Sequence, residues 1–270
     1  MHSTKNDLHS YTGHALLILP SVLLGVLAMA SGGVSPVLWG QQLAAWLVFA
    51  LLAYVLQRAA GRISDEAWSV LLLLPLVSAL TGDGLDGVKR WLDLGIFQIN
   101  AGLLVLPALL LVLHRLSAPF PMLLAAAAIL SFQPDLSQLT AFIAAVLPIL
   151  WRHRGKRFWV LGSILVLFAL EIRCLCSPVM LEPAAYCEGI LTMLRGISPL
   201  LPIAGFVSLA AIPSFFAFGF LKSRRPYLLS LSVYYAVSLL FTLSGNDPVL
   251  FMGFGLSPIA GYFLVLLLKE

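Results

Sequence analysis

The stretch PFPMLLAAAAILSFQPDLSQLTAFIAAVLPILW, residues 119–151, decides the fold. Its only ionisable side chain is Asp135, set between two apolar halves that are each short for a membrane crossing. A transmembrane helix needs about 20 apolar residues at a rise of about 1.5 Å each. Whether this segment crosses once, or leaves and returns, fixes the side of everything after it. A single crossing would part Arg152, Arg154, Lys156 and Arg157 from the other basic loops. Lys and Arg gather in cytoplasmic loops, so the segment must leave and return, as two tilted helices or as a re-entrant pair. Asp135 then sits at the turn.

The rest of the chain is of the same kind. Sixty per cent of its 270 residues are apolar and ten per cent are charged, with a mean hydropathy of +0.99. A water-soluble domain of that composition would lack the polar surface to cover itself. Apolar runs of near-membrane length, parted by short polar breaks, make the spans helices rather than barrel strands. The expected fold is all-α, a polytopic membrane helix bundle forming one domain over residues 1–270. Its ten spans fall near 14–31, 37–57, 66–81, 98–114, 119–133, 136–151, 158–175, 198–221, 227–244 and 249–268.

Basic residues orient it. With the N-terminus cytoplasmic, the inside carries twelve of them: Lys5, Arg58, Arg62, Arg115, Arg152, Arg154, Lys156, Arg157, Lys222, Arg224, Arg225 and Lys269. Only Lys89, Arg90, Arg173 and Arg195 fall outside. Both termini are then cytoplasmic, and the pI near 9.1 reflects anchors for anionic headgroups rather than affinity for nucleic acid. Ala28-Met29-Ala30 has the small residues of a signal-peptidase site, but Lys5 is offset by Asp7, and a retained first helix is expected. Cys174, Cys176 and Cys187 fit no zinc spacing and read as small buried thiols near the outer face. The histidines share no metal-ligand spacing, so neither a metal nor a cofactor is expected.

Three polar patches interrupt the apolar pattern. The first, residues 81–95, holds four glycines for tight turns and five charges, among them Lys89 and Arg90 ahead of Trp91. An Arg followed by Trp at headgroup depth either grips a phosphate while the indole holds the interface, or is a plain aromatic-belt anchor. The second is Gln133-Pro134-Asp135-Leu136. An ionised Asp near the bilayer centre costs about 2.5–3.5 kcal/mol, so Asp135 needs water or a partner. It either caps the next helix through the amides of Ser137 or Gln138, or meets a ligand or an ion-pair partner, with Arg90 on the same side as the candidate. The third patch runs from Glu171 through Arg173, Glu182, Tyr186 and Glu188 to Arg195, in an outer loop where Glu182 and Glu188 are the acids able to act as a general base. A solvated loop is its plainer reading. Asn246-Asp247-Pro248 reads as a turn before the last helix.

Gly87-x-x-Arg90-Trp91-Leu92-Asp93-Leu94-Gly95, then Phe97-Gln98, then Gln133-Pro134-Asp135-Leu136 resemble, in residues and in order, motifs of the SEDS family of bacterial cell-shape and cell-division membrane proteins, to which RodA and FtsW belong. Weaker likeness extends to 183–190 and to 246–261. The resemblance implies ten inner-membrane helices and polymerisation of glycan strands from lipid II, a polyprenyl-diphosphate-linked precursor, beside a partner transpeptidase. It implies that Arg90 contacts phosphate, that Trp91 fixes the loop, and that Lys89, Gln133 and Asp135 belong to the same ligand site. The chain departs from the pattern. It is shorter than a typical member and lacks the Leu-Pro-Glu-x-x-Thr-Asp-Phe motif that carries the family's catalytic Asp. Asn100 and Ala101 stand where the family has Ser and Glu, and Ser137 stands where it has Gly. The expected function is therefore engagement of a polyprenyl-phosphate-linked glycan in peptidoglycan biosynthesis without full polymerase activity. If the chain is catalytic, Glu188 or Glu182 must replace the missing base. A non-catalytic scaffold docking another membrane protein and a small lipid or solute transporter are the alternatives.

Overall fold

Helix starts are written in the sequence as Pro and as capping side chains. The computed structural model describes residues 11–82, 84, 88–95, 97–177, 183–245 and 247–269, without the side chain of Arg58. His2, Lys5, Asp7, His9, Asp83, Asp86, Gly87, Pro178, Glu182 and Asn246 lie outside the described residues. Eleven helices are described: α1 (Tyr11–Ser31), α2 (Pro36–Ala60), α3 (Asp65–Thr81), α4 (Ala101–Leu113), α5 (Phe120–Phe132), α6 (Leu136–Arg152), α7 (Arg157–Leu175), α8 (Ile190–Ile197), α9 (Leu201–Ser223), α10 (Pro226–Thr242) and α11 (Leu256–Leu268). Ser35, Ser64, Asn100 and Asp135 open α2, α3, α4 and α6, each accepting from a free first-turn amide. Pro opens α2, α5, α9 and α10, where its missing N–H costs nothing.

Ten of these helices match the expected apolar spans, and the bundle has a long rim and a short-helixed centre. Tyr11–Ser31, Pro36–Gln57, Arg157–Leu175 and Leu201–Ser223 are long and apolar enough to cross a membrane, and most of each is left unburied by the rest of the bundle. On α7 only Ser163, Leu167 and Cys174 are buried, while Leu165 and Phe168 are 69% and 66% exposed, as suits lipid contact. The central α4 has 13 residues, about 20 Å of helix against a hydrocarbon core of about 30 Å. All but one of its residues are buried, and non-helical backbone at membrane depth is tolerated where protein surrounds it.

Residues 119–151 leave and return. α5 and α6 meet at Asp135, and their far ends lie together: the Phe120 ring is 5.7 Å from that of His153, and Lys156 Nζ donates to Ser117 O at 3.0 Å. At that same end Arg115 reaches Asp65 at 3.3 Å and donates to Leu268 O, and Tyr262 donates to His14 O at 2.8 Å. The first and last described helices thus bring their outer ends together at the basic end. Glycines let the backbones approach elsewhere. A Cβ on Gly261 would lie 2.2 Å from Leu103 O, and one on Gly253 would lie 2.3 Å from Cys187 O.

Two expected spans start late. The fourth begins at Ala101 rather than at residue 98, because Gln98–Asn100 is a strand (β2) paired antiparallel with Trp91–Asp93 (β1). The last begins at Leu256, with the preceding residues turned inward over the core. The amphipathic α8, set in the long loop between α7 and α9, is an addition to the expected elements.

Candidate functional site

The Arg-Trp motif is a β-hairpin. Trp91 pairs with Asn100, Leu92 with Ile99 and Asp93 with Gln98. Asp93 Oδ1 accepts from Gly95 N at 2.8 Å, and Leu94 N donates to Phe97 O at 2.9 Å. Gly95 has φ +79°, a left-handed conformation that favours glycine. Asp93 and Gly95 therefore build the turn, and the residues free to act are those at the hairpin's base. Arg90 lies there with its guanidinium carbon 4.6 Å from the Trp91 ring centroid, a cation–π contact.

Asp135 comes to meet it. Its Oδ1 accepts from Gln138 N at 3.3 Å and from Ser137 Oγ at 3.2 Å, and stands 3.5 Å from an Arg90 terminal nitrogen. The cap and the ion pair, which the residues alone left as alternatives, thus occur on one oxygen. Asp135 is buried at 1% exposure and Arg90 half-buried at 15%, yet Arg90 Nε and Asp135 Oδ2, both shielded from solvent, have no hydrogen-bond partner. Buried orphans of this kind mark strain or a site for something else.

Two loops complete the walls. Val249 N donates to Cys187 O and Phe254 N donates to Tyr186 O, knitting 183–189 to 247–255. Together with the hairpin and the start of α6 they enclose a cavity of about 290 Å³, lined by Arg90, Trp91, Asp135, Tyr186, Glu188 and Asp247 among others. Glu188 Oε2 accepts from Ala184 N at 2.8 Å, holding its own loop closed. Asp247, half-buried, lines the cavity together with Ser137. Burial pushes its carboxyl above the usual carboxylate range; Ser137 and the Arg90 charge oppose that, and the charges of Asp135 and Glu188 reinforce it. Burial also pushes the Cys187 thiol up to about 12, so it is no nucleophile at neutral pH. Cys174, Cys176 and Cys187 are all free thiols; Cys174 is buried, Cys187 half-buried and Cys176 exposed, the last against the expectation of three buried thiols.

Of the residues singled out in the sequence, Arg90, Trp91, Asp135 and Glu188 line the cavity and Lys89 and Gln133 do not. Gln133 is fully buried and donates to Leu76 O at 2.7 Å, tying the α5–α6 turn to α3. Lys89 is half-buried beside Gly84. Glu171 accepts from Thr140, and Arg173 donates to Ser131 and lies 4.0 Å from the Phe132 ring centroid, so both hold α7 to its neighbours rather than serving the cavity. Asp247 is the residue sequence reasoning missed. The signal was its position: an acid between apolar runs on the same side as Arg90.

No protein-family model matches the sequence, and no curated protein matches it. Solved structures do. The chain is similar to the rod shape determining protein RodA of Thermus thermophilus, with a TM-score of 0.61 at 21% identity, covering 94% of this chain and 95% of that one. An aspartate-to-alanine mutant of that RodA gives 0.60 at 22% over the same shares. A chain from a structure on the coordination of polymerization and crosslinking by a peptidoglycan synthase complex gives 0.58 at 20%, over 94% and 96%. The likeness spans nearly the whole of each chain and includes the polytopic helical architecture, so this chain has the RodA-like SEDS fold.

Proposed function

We propose that the cavity binds the diphosphate end of a polyprenyl-linked glycan resembling lipid II, and that the chain serves cell shape, cell division or envelope biogenesis at the outer face of a bacterial inner membrane. The observation that carries this is the half-satisfied guanidinium. At 3.5 Å the Arg90–Asp135 contact is longer than a good hydrogen bond, and Nε is unpaired, so donors remain for the bidentate grip that phosphate oxygens favour. Trp91 fixes the guanidinium from one side and Asp135 orients it from the other. The similarity to a rod shape determining protein supports the cell-envelope setting, and the similarity to a chain of a synthase complex supports a membrane partner of transpeptidase type.

Binding of a polyprenyl diphosphate to the full chain in detergent tests the reading. Charge-assisted hydrogen bonds contribute about 1.5–3 kcal/mol, so Arg90→Ala should weaken binding by about tenfold or more. Arg90→Lys should restore it only in part, since Lys lacks the planar fork. Unchanged affinity in the folded Ala variant would leave Arg90 an interfacial anchor.

Polymerisation lies outside the proposal. A transferase must take a proton from the acceptor hydroxyl, and Glu188 spends one oxygen closing its own loop while the family's Asp motif is missing. Incubated alone with lipid II, the protein should form no glycan chains; chains lost on Glu188→Gln would make it a polymerase. A scaffold role in a larger complex is the second reading, favoured by the synthase-complex similarity.

A further inference from the structure

The cavity has more acid than a plain phosphate site should. Arg90 is the cation lining it among the described residues, and it faces three carboxyl groups: Asp135 at the α5–α6 turn, Glu188 from the 183–189 loop and Asp247 from the 247–255 loop. Tyr186 and Cys187 are the other titratable groups on those loops, and the Cys187 thiol stays neutral. With all three acids ionised, the lining would repel the anion that Arg90 is placed to hold.

Ser137 supplies the way out. Its hydroxyl donates to Asp135 Oδ1 at 3.2 Å and lines the same cavity as Asp247, but it owns a single proton. One hydroxyl proton satisfies one carboxylate. Asp135, paired with Arg90 and accepting the Gln138 amide, is the better site for negative charge. Asp247 is the carboxyl left to carry a proton: Glu188 accepts the Ala184 amide, Ser137 donates to Asp135, and Asp135 faces Arg90.

We propose that Asp247 is the specificity-setting group of this cavity, and that a phosphate-bearing ligand is accepted with one proton resident on Asp247. This rests on the reading of the cavity as a diphosphate site. Below the Asp247 pKa the proton is in place and affinity is full. As pH rises through it, the ligand must bring a proton in, and affinity falls by up to tenfold per pH unit. Burial and the neighbouring acids, which push the Asp247 carboxyl up, bring that fall nearer neutral pH than a free Asp would give.

The test measures polyprenyl diphosphate affinity against pH for the detergent-solubilised full chain. Asp247→Asn, close to isosteric and unable to lose a proton, should bind as the wild type does at low pH and lose the slope. Glu188→Gln removes a charge that raises the Asp247 pKa, so the midpoint should move down. A wild-type affinity flat across neutral pH, or an Asp247→Asn variant that keeps the slope, would overturn the inference. A wild type that binds no diphosphate lipid at any pH defeats the ligand reading instead. The proton is then checked without ligand, by difference infrared spectroscopy. The carboxylic C=O band that is missing in Asp247→Asn should persist in the wild type to higher pH than a free aspartate's would, and a spectrum without that difference overturns the inference.

Discussion

The two ends of the bundle treat their charges in opposite ways. At the basic end, cations finish helices: Arg115 donates to Leu268 O at 2.6 Å and Arg152 to His114 O at 3.0 Å, each on a carbonyl at a helix C-terminus. The Arg115–Asp65 pair there is about one-third exposed on both sides. At the cavity end, Asp135 is buried and Arg90 half-buried, their contact is long, and each keeps a shielded atom with no partner. The basic end uses charge to close the fold, while the cavity end leaves charge in reserve. That difference, more than the presence of charge, marks the functional site.

Substitutions can break or sharpen the contrast. The largest effect on stability should come from Asp135→Ala, which removes the α6 cap and strands a half-buried guanidinium, at a cost of about 3 kcal/mol. Thermal unfolding in detergent measures it, and Asp135→Asn, which keeps a capping oxygen, should lose clearly less. Asn100→Ala comes next at about 1 kcal/mol, because its side chain accepts from Leu103 N at the start of the buried α4. Arg115→Ala should change stability by about 1 kcal/mol or less, with the Asp65 pair's share vanishing in high salt. An Arg115 effect equal to that of Asp135 would erase the distinction between the ends. The orientation is tested by reporter fusions. A fusion after Arg157 should report cytoplasm, and a periplasmic signal would break the inference that residues 119–151 leave and return.

Most of the bundle was legible because hydropathy and basic-residue placement act through the membrane itself. The return at Asp135 followed from Lys and Arg parity alone, and the Arg90–Asp135 pairing from two charges stranded on one side. The hairpin was not legible: three-residue strands carry no alternation, and their pairing depends on Asp93 and Gly95 closing a turn. Gln133 read as a ligand residue, but its partner is a main-chain carbonyl on α3, which leaves no trace in sequence. Asp247 was hidden by its neighbours, since an acid before Pro248 reads as turn chemistry. What makes it part of the site is the cavity it shares with Arg90 and Asp135, each more than a hundred positions away along the chain.

Photo-crosslinking with a polyprenyl diphosphate carrying a photoreactive group tests the central claim most directly, because it asks which end of the bundle holds the ligand. The full chain in membranes should be labelled on the peptides around Arg90–Asn100, Ala184–Glu188 and Asp247–Pro258, with labelling lost in Arg90→Ala. Labelling around Asp65, Arg115 and Lys156, or labelling that survives in Arg90→Ala, would contradict it.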